Sequence, residues 1–470
     1  LNTTGYNNTA SGYEALYANT TGYHNVAIGG YALDANTTGH RNVSVGAYSM
    51  GANIGGERNT ACGYNSFKLN TEGDQNVAVG EEALMSNTTA SYNIACGKAA
   101  LYANTTGERN SAFGAYSLYS NTTASYNSAF GYGTLYTNTT GANNTASGHA
   151  ALYSNTTGGY NAACGHSALY ANTTGAYNTA SGYQALYSNT TVSYNTASGY
   201  RALQDNTTGT ENTASGSFAL TSNTTGSQNI ANGYRALYNN TTGNYNVAIG
   251  RYANYTNTTS HYNTAVGDYT LYANTSGDEN TALGHNTLNG NTTGDRNTAV
   301  GDSALVANTT GYYNTSIGSM SMVGNLTGNY NTASGYESLY ANTSGVMNTA
   351  AGYRALYANT TADNNTAVGY QSLQSNTTGA GNNAFGQGSL KDLTTGSNNT
   401  AVGKIAGNTT TTGSENILLG YNCTGSSASA NGECTLGGST IGTLRCNTST
   451  ISSLSDARDK TEVEPSPLGI

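Results

Sequence analysis

The chain has 470 residues and an unusual composition: only 8% are charged and 36% hydrophobic, where soluble domains average about 25% and about 45–50%. With 39 Tyr, 5 Phe, no Trp and 2 Pro, neither a large aliphatic core nor a proline-rich linker is expected. The net charge of −9 excludes the basic stripe of a nucleic-acid-binding protein. No run of about 18 apolar residues is present, so we expect no membrane insertion.

The dominant feature is a tandem repeat of 17 residues that begins at Asn8. Twenty-five Asn residues follow one another at this spacing up to Asn416, and a Gly lies four residues after each. Counted from this Asn as position 1, position 3 is mostly Ala, position 9 mostly Leu, and positions 12 to 15 mostly Asn-Thr-Thr-Gly. Positions 7, 16 and 17 vary and carry most of the charges. No insertion or deletion interrupts the period.

This period predicts an all-β fold, a β-solenoid of about 25 coils over residues 1–424. Helical-hairpin repeats need about 33–47 residues, and Asn, Gly and Thr are poor helix formers. Strands of stacked coils lie about 4.8 Å apart, so an extra residue in one coil would shift it against both neighbours. Each coil is predicted to hold an extended segment at positions 2–5, another at positions 7–11 and a polar turn at positions 12–16.

The recurring positions are predicted to be structural. The Gly indicates a corner with positive φ or a close backbone approach, and the Asn indicates a ladder of stacked amides. Positions 3, 4, 8 and 9 are predicted to face inward. The representative structural residues are Asn8, Gly12, Asn25, Gly29, Asn178, Gly182 and Leu186.

Tyr is frequent at positions 6, 10 and 17, where it would form stripes along the solenoid. Three interpretations are open: stacking between coils, an interface between subunits, or a sugar-binding face. The predicted core of each coil is thin, since a buried Leu contributes about 1.5–3 kcal/mol while ordering costs about 1–2 kcal/mol per residue. We therefore expect lateral association of several chains.

Candidate chemistry is sparse. The six His all lie at positions 6, 16 or 17, and they do not supply the three or four converging ligands of a metal site. No carboxylate cluster interrupts the repeat as a polysaccharide-cleaving site would require. Cys62, Cys96 and Cys164 all occupy position 4 and are interpreted as small core residues. The sequence therefore predicts a protein that is not an enzyme and has no metal or cofactor.

The turn at position 12 allows two interpretations. Twenty-one Asn residues there match the Asn-x-Ser/Thr acceptor sequence for N-glycosylation. The candidate acceptors include Asn19, Asn36, Asn87, Asn104, Asn121 and Asn172. The alternative is an Asn ladder with Thr hydroxyls that close a turn.

The repeats resemble those of a known family. Asn246-Val-Ala-Ile-Gly and Asn365-Thr-Ala-Val-Gly-Tyr-Gln-Ser-Leu are similar to the head repeats of trimeric autotransporter adhesins, which form left-handed β-rolls in a homotrimer. The resemblance covers residues 8–424 and implies a homotrimer. The family's coils are shorter, so the cross-section remains open.

The C-terminus resembles a second family. Ser455-Asp-Ala-Arg-Asp-Lys460 is similar to the start of the intramolecular chaperone of endosialidase-type phage tail fibres and spikes. The resemblance assigns residues 425–454 to a neck and 455–470 to a truncated start of the chaperone. It implies a homotrimer and self-cleavage between Ser455 and Asp456, with Ser455 as nucleophile activated by Lys460. An inert stub is the alternative, because the chaperone of that family is much longer than residues 455–470. A disulfide bond between Cys434 and Cys446 in the neck is also left open.

These observations predict a structural fibre shaft, either a virion tail fibre or a surface adhesin that mediates attachment. Its expected location is extracellular or on a virion, and its expected partners are copies of itself and a cell-surface glycan or protein receptor. The first alternative is a secreted, glycosylated filament or matrix subunit. The remote alternative is an ice-binding solenoid, which is disfavoured because Thr pairs such as Thr190 and Thr191 are adjacent.

Overall fold

The computed structural model describes residues 2–438 and is a single parallel β-solenoid, which confirms the fold predicted from the period. Twenty-six strands of three residues form one sheet, and each strand pairs in parallel with the next at an offset of 17 residues. The strands are β1 (Thr9–Ser11), β2 (Val26–Ile28), β3 (Val43–Val45), β4 (Thr60–Cys62), β5 (Val77–Val79), β6 (Ile94–Cys96), β7 (Ser111–Phe113), β8 (Ser128–Phe130), β9 (Thr145–Ser147), β10 (Ala162–Cys164), β11 (Thr179–Ser181), β12 (Thr196–Ser198), β13 (Thr213–Ser215), β14 (Ile230–Asn232), β15 (Val247–Ile249), β16 (Thr264–Val266), β17 (Thr281–Leu283), β18 (Thr298–Val300), β19 (Thr315–Ile317), β20 (Thr332–Ser334), β21 (Thr349–Ala351), β22 (Thr366–Val368), β23 (Asn383–Phe385), β24 (Thr400–Val402), β25 (Ile417–Leu419) and β26 (Cys434–Leu436). At about 4.8 Å per step, the stack is about 120 Å long. Residues 2–438 contain no helix. This part of the chain therefore has no helix long and apolar enough to cross a membrane.

The ladder extends one coil beyond residue 424. Strand β26 pairs with β25, with Cys434 opposite Ile417, and Gly437 follows at the spacing of the repeated Gly. Glu433 replaces the Asn of position 1, yet its backbone N–H still donates to Asn416 Oδ1 at 2.9 Å. The solenoid therefore includes residues that the second resemblance assigns to the neck. The rest of the neck with Cys446, and the tail 455–470, lie outside the described residues.

In β2 to β25 the middle residue of each strand is buried inside the solenoid, and its two flanking residues point outward. The position 3 side chains of Ala27 and Ala61 are fully buried, whereas Ile28 at position 4 is 43% exposed. The prediction that position 4 faces inward is therefore wrong. Successive side chains of a strand point to opposite faces, so the neighbour of an inward Ala must point outward. For the same reason Cys62 and Cys164 are exposed and Cys96 is half-buried; none of them is a core residue.

The segment at positions 7–11 is a turn, so the prediction of a second extended segment is also wrong. Residues at positions 7 and 9 have left-handed backbones, as Gln184 and Leu186 do with φ of 52° each. Such a conformation costs a non-Gly residue roughly 1–2 kcal/mol. Burial offsets this cost, because Leu186 and the preceding Ala185 are both fully buried, as predicted. Leu186 N–H also donates to Ala202 O in the next coil at 3.0 Å.

The repeated Gly lies where the backbones of successive coils approach closely. Gly12, Gly29 and Gly182 have φ of 140°, 129° and 138°, a region that favours glycine. A Cβ atom on Gly182 would lie 2.3 Å from the carbonyl oxygen of Gly199 in the next coil. Any side chain here would force the two coils apart.

Two ladders of Asn side chains run through the interior, as the amide-ladder prediction implies. At position 1, Asn42 N–H donates to Asn25 Oδ1 at 3.0 Å, and Asn25 Nδ2 donates to Gly39 O at 2.9 Å. At position 12, Asn36 Nδ2 donates to Asn19 Oδ1 at 3.0 Å and to the same Gly39 oxygen at 3.1 Å. The Gly39 carbonyl oxygen thus accepts hydrogen bonds from both Asn side chains of its coil. These two hydrogen bonds close the coil. The side chains of Asn8 and Asn178 act in the same way at position 1.

Candidate functional site

The candidate glycosylation acceptors lie inside the solenoid. All six are at most 1% exposed; they are Asn19, Asn36, Asn87, Asn104, Asn121 and Asn172. Each Nδ2 atom donates to the Asn of the preceding coil and to the carbonyl at position 15, at 2.8–3.2 Å. An N-linked glycan would occupy this same nitrogen, so the folded coil leaves it no room. The Thr hydroxyls link coils instead of closing the turn, as Thr173 Oγ1 does by donating to Thr190 O at 3.1 Å.

The outward face of the sheet runs along the whole stack of coils. We call the side chains at positions 2 and 4 of β1 to β26 the sheet stripe. Apolar residues at position 4 that are 36–47% exposed recur along it: Ile28, Val79, Phe113, Phe130, Ile249, Leu283, Ile317, Val368, Phe385, Val402 and Leu436. At position 4, two apolar stretches are separated at β11 to β14, where Ser181, Ser198, Ser215 and Asn232 occur. Position 2 is still apolar at Ile230 in β14, which is 44% exposed.

The sequence pattern contained a signal for this face that the inward assignment of position 4 missed. Ala at position 3 is nearly invariant, and alternation along a strand then places positions 2 and 4 on the other face. Single exposed apolar residues are ordinary on a protein surface. A row of exposed Val, Ile and Phe along one face is not, and it indicates an interaction surface.

Position 16 varies in residue type but has a definite role in many coils. Where it is Asp, Asn or Ser, its side chain accepts a hydrogen bond from the backbone N–H of position 16 in the preceding coil. His261 N–H donates to Asp278 Oδ1 at 2.7 Å, and Asp278 N–H donates to Asp295 Oδ1 at 2.8 Å. Ser227 N–H donates to Asn244 Oδ1 at 2.7 Å. The frequent Asp, Asn and Ser at this position were the available signal, because these short side chains can accept from a nearby backbone.

Charged and titratable side chains pair between neighbouring coils and do not converge on one point. Arg296 Nε lies 3.0 Å from Glu279 Oε2, and this hydrogen bond lowers the pKa of the Glu279 carboxyl. His285 Nδ1 lies 2.9 Å from Asp302 Oδ1. Within residues 2–438, no three His, Cys, Asp or Glu side chains are placed to hold a metal ion. The predicted self-cleavage residues Ser455 and Lys460 lie outside the described residues.

The Tyr stripes stack along the axis of the solenoid. At position 10, six consecutive rings have centroids 5.0–5.3 Å apart and are nearly parallel: Tyr102, Tyr119, Tyr136, Tyr153, Tyr170 and Tyr187. Partial burial raises the pKa of the Tyr119 and Tyr153 hydroxyls. Because the rings cover one another, faces inside the ladder are not available to a sugar. Stacking between coils is therefore their structural role here.

No protein-family model matches the chain, and no curated protein matches it. The functional features are therefore those that its own geometry provides. They are a long stack of near-identical coils, one outward face with apolar stretches, and aromatic side chains in register.

Proposed function

We propose that the chain is a non-enzymatic shaft segment of an extended fibre, in which copies associate side by side. Most coils repeat one interior of Ala, Leu and paired Asn, while positions 7, 16 and 17 vary. A constant interior with a variable surface is typical of repeat proteins in which the length of the stack is the useful property. The stack of about 120 Å supports this use as a spacer.

The sheet stripe is the observation that carries the proposal. Val79, Phe130, Ile317 and Phe385 are among its side chains, and each is 40–45% exposed. Contiguous exposed apolar surface on a soluble protein marks an interaction site. A second copy in the same register would place apolar stretches against apolar stretches. We propose three copies around a common axis, because a closed assembly buries the stripe of every chain and both resemblances are to homotrimers.

The resemblances also support the setting. We propose that the fibre is extracellular, as a virion tail fibre or surface adhesin, and that its outward variable positions meet a cell-surface glycan or protein receptor. In a precursor that continues past Ile470, self-cleavage after Ser455 would release the chaperone. A secreted filament remains the rival, but the burial of the Asn acceptors counts against a glycan sheath.

The oligomeric state of purified protein tests the association. Light scattering should give the mass of a trimer at micromolar concentration. Ile317→Asp should weaken it, because a carboxylate would be desolvated in the interface. Leu326→Asp is the matched control: it lies in the same coil, is 44% exposed against 45% for Ile317, and is off the stripe. A stable monomeric wild type would overturn the proposal.

Cysteine crosslinking tests the face itself. Cys164 lies exposed on the sheet stripe. In a parallel assembly in register, its thiol would face its own counterparts. A variant in which Cys164 is the sole cysteine should therefore form disulfide-linked dimers under mild oxidant. A trimer that never crosslinks through Cys164 would place the stripe outside the interface.

One observation favours a second candidate, an ice-binding rod. Alternating outward hydroxyls do occur, because Thr179 and Ser181 in β11 both point outward, and β12 and β13 repeat the pair. The adjacency of Thr190 and Thr191 therefore does not exclude this function. Thermal hysteresis of the purified protein tests it, and an ordinary freezing curve would remove the candidate.

A further inference from the structure

An arginine at position 7 shows what the aromatic surface can hold. Arg235 inserts between three rings, and its Cζ atom lies 5.2 Å from the centre of Tyr234, 5.4 Å from Tyr238 and 5.5 Å from Phe218. Tyr234 is at position 6 and Tyr238 at position 10 of the same coil, while Phe218 is at position 7 of the preceding coil. A guanidinium group near aromatic faces is attracted by the ring quadrupoles. We call this arrangement the arginine cage.

Six coils earlier, the same frame of rings surrounds a glycine. Gly133 is at position 7, Tyr132 at position 6, Tyr136 at position 10, and Tyr116 at position 7 of the preceding coil. With Tyr153 they line an open recess of about 320 Å³. We call it the glycine cage.

The two cages have similar geometry. The Tyr116 and Tyr132 centroids are 5.8 Å apart at 79°, against 6.4 Å and 83° for Phe218 and Tyr234. The Tyr116 and Tyr136 centroids are 6.5 Å apart at 59°, against 6.2 Å and 67° for Phe218 and Tyr238. The glycine cage therefore has the walls of the arginine cage without its guanidinium group.

We infer that the glycine cage binds an organic cation with a guanidinium head. The chain itself shows that such a group fits these rings, and the cation–π attraction is the chemistry that would hold it. The head can belong to a free small molecule or to an arginine side chain of a peptide. A neutral group of the same shape lacks the charge and should bind far less well.

The backbone permits reciprocal variants. Gly133 has φ of 59° and Arg235 has φ of 56°, so the two positions share one conformation. A Cβ atom on Gly133 would lie 3.5 Å from Tyr153 Cε2, an ordinary contact. Gly133→Arg should therefore fold and fill its own cage, and Arg235→Gly should open a second one.

The site is tested by titrating the protein with methylguanidinium at constant ionic strength. Binding is monitored by NMR of isotope-labelled Tyr rings. The wild type should show saturable shifts at Tyr116, Tyr132 and Tyr136. Gly133→Arg should lose them, and Arg235→Gly should add a second set at Tyr234 and Tyr238. Methylurea, the neutral counterpart, should bind about tenfold more weakly or not at all. Equal shifts from both ligands, or an unchanged response in Gly133→Arg, would overturn the inference.

A second variant and a peptide ligand complete the experiment. If Gly133→Arg fails to fold, Tyr132→Leu removes one wall of the cage at a side chain that is 55% exposed, and it should weaken binding by about tenfold. An unaltered affinity in this variant would also overturn the inference. A short arginine-containing peptide, run beside methylguanidinium, distinguishes the sources: tighter binding of the peptide indicates a protein ligand, and equal binding indicates a free cation.

Discussion

Leu393 lies directly after Asn376 in the column of position 12 side chains, and it leaves Asn376 Oδ1 buried without a hydrogen-bond donor. Asn376 still donates to Asn359 Oδ1 at 3.1 Å, so the amide ladder ends at this step. The sheet continues past it to β26, and the position 1 ladder continues with Asn399 N–H donating to Asn382 Oδ1 at 3.0 Å. The strands and the position 1 ladder are therefore enough to keep the coils stacked at this step. The position 12 ladder adds further hydrogen bonds where it is present.

The Gly of position 5 provides the first prediction. Gly182→Val should destabilise the surrounding coils by at least about 3 kcal/mol, because its Cβ would overlap Gly199 O and its φ of 138° excludes a β-branched residue. Gln184→Lys in the same coil should change stability by less than about 0.5 kcal/mol, since position 7 accepts many side chains. Hydrogen exchange of the flanking strands and thermal midpoints measure both. Similar midpoints for the two variants would contradict the assignment of Gly182.

The 17-residue period is enough to predict the fold. The orientation of individual side chains depends in addition on the alternation of residues along each strand. An unbroken spacing of 17 residues leaves stacked coils as the structure that keeps every strand in register, and the Gly and Asn positions follow from it. The prediction that position 4 faces inward is wrong because it rests on the apolar character of the Val, Ile and Phe found there. Strand geometry overrides hydrophobicity at this position, since Ala at position 3 fills the interior.

Other features could not be read from residue types. Leu186 at φ of 52° is contrary to the usual preference of Leu, and only the tight return of the coil requires it. The glycine cage depends on four tyrosines from three successive coils around Gly133. Residue spacing places them in one region, but ring orientations depend on packing that the sequence does not specify.

The pH dependence of stability provides the second prediction. Burial raises the pKa of Asp34, so the folded state binds this proton more readily than the unfolded chain. The favourable contribution is present at low pH and is lost as pH rises from the unfolded pKa of about 3.9 through the raised folded value. Asp34→Asn should therefore melt at a higher temperature than wild type at pH 7 and at nearly the same temperature at pH 3. If the melting temperatures of Asp34→Asn and wild type differed by the same amount at both pH values, the effect would come from altered contacts and not from the charge of Asp34.

The third prediction concerns the tail. A chain that continues past Ile470 as a chaperone should cleave itself between Ser455 and Asp456. Ser455→Ala and Lys460→Ala should each leave one long chain, because each removes half of the nucleophile–base pair. The trimer should still form in both variants. Mass spectrometry of the full-length product measures the cut, and cleavage that persists in Ser455→Ala would exclude the assigned nucleophile.

The last prediction separates the two interpretations of the Asn-x-Thr turns. Asn172 Nδ2 donates to Asn155 Oδ1 at 2.8 Å and to Gly175 O at 2.9 Å, and its own Oδ1 accepts from Asn189 at 3.1 Å. Asn172→Ala should therefore weaken its coil, since each buried polar group left unpaired costs about 1–3 kcal/mol.

Thr174→Ala is the matched control for that change. It removes the same acceptor sequence, but Thr174 is exposed, so its loss should cost less than about 0.5 kcal/mol. Denaturation of both variants made in a bacterial host, which adds no such glycan, measures the contribution of the ladder alone. Protein from a glycosylating host should show the same mass at Asn172 as bacterial protein, because the nitrogen is committed inside the coil. A glycan on Asn172 of a folded, secreted fibre would require an opened coil and would favour the rival filament function.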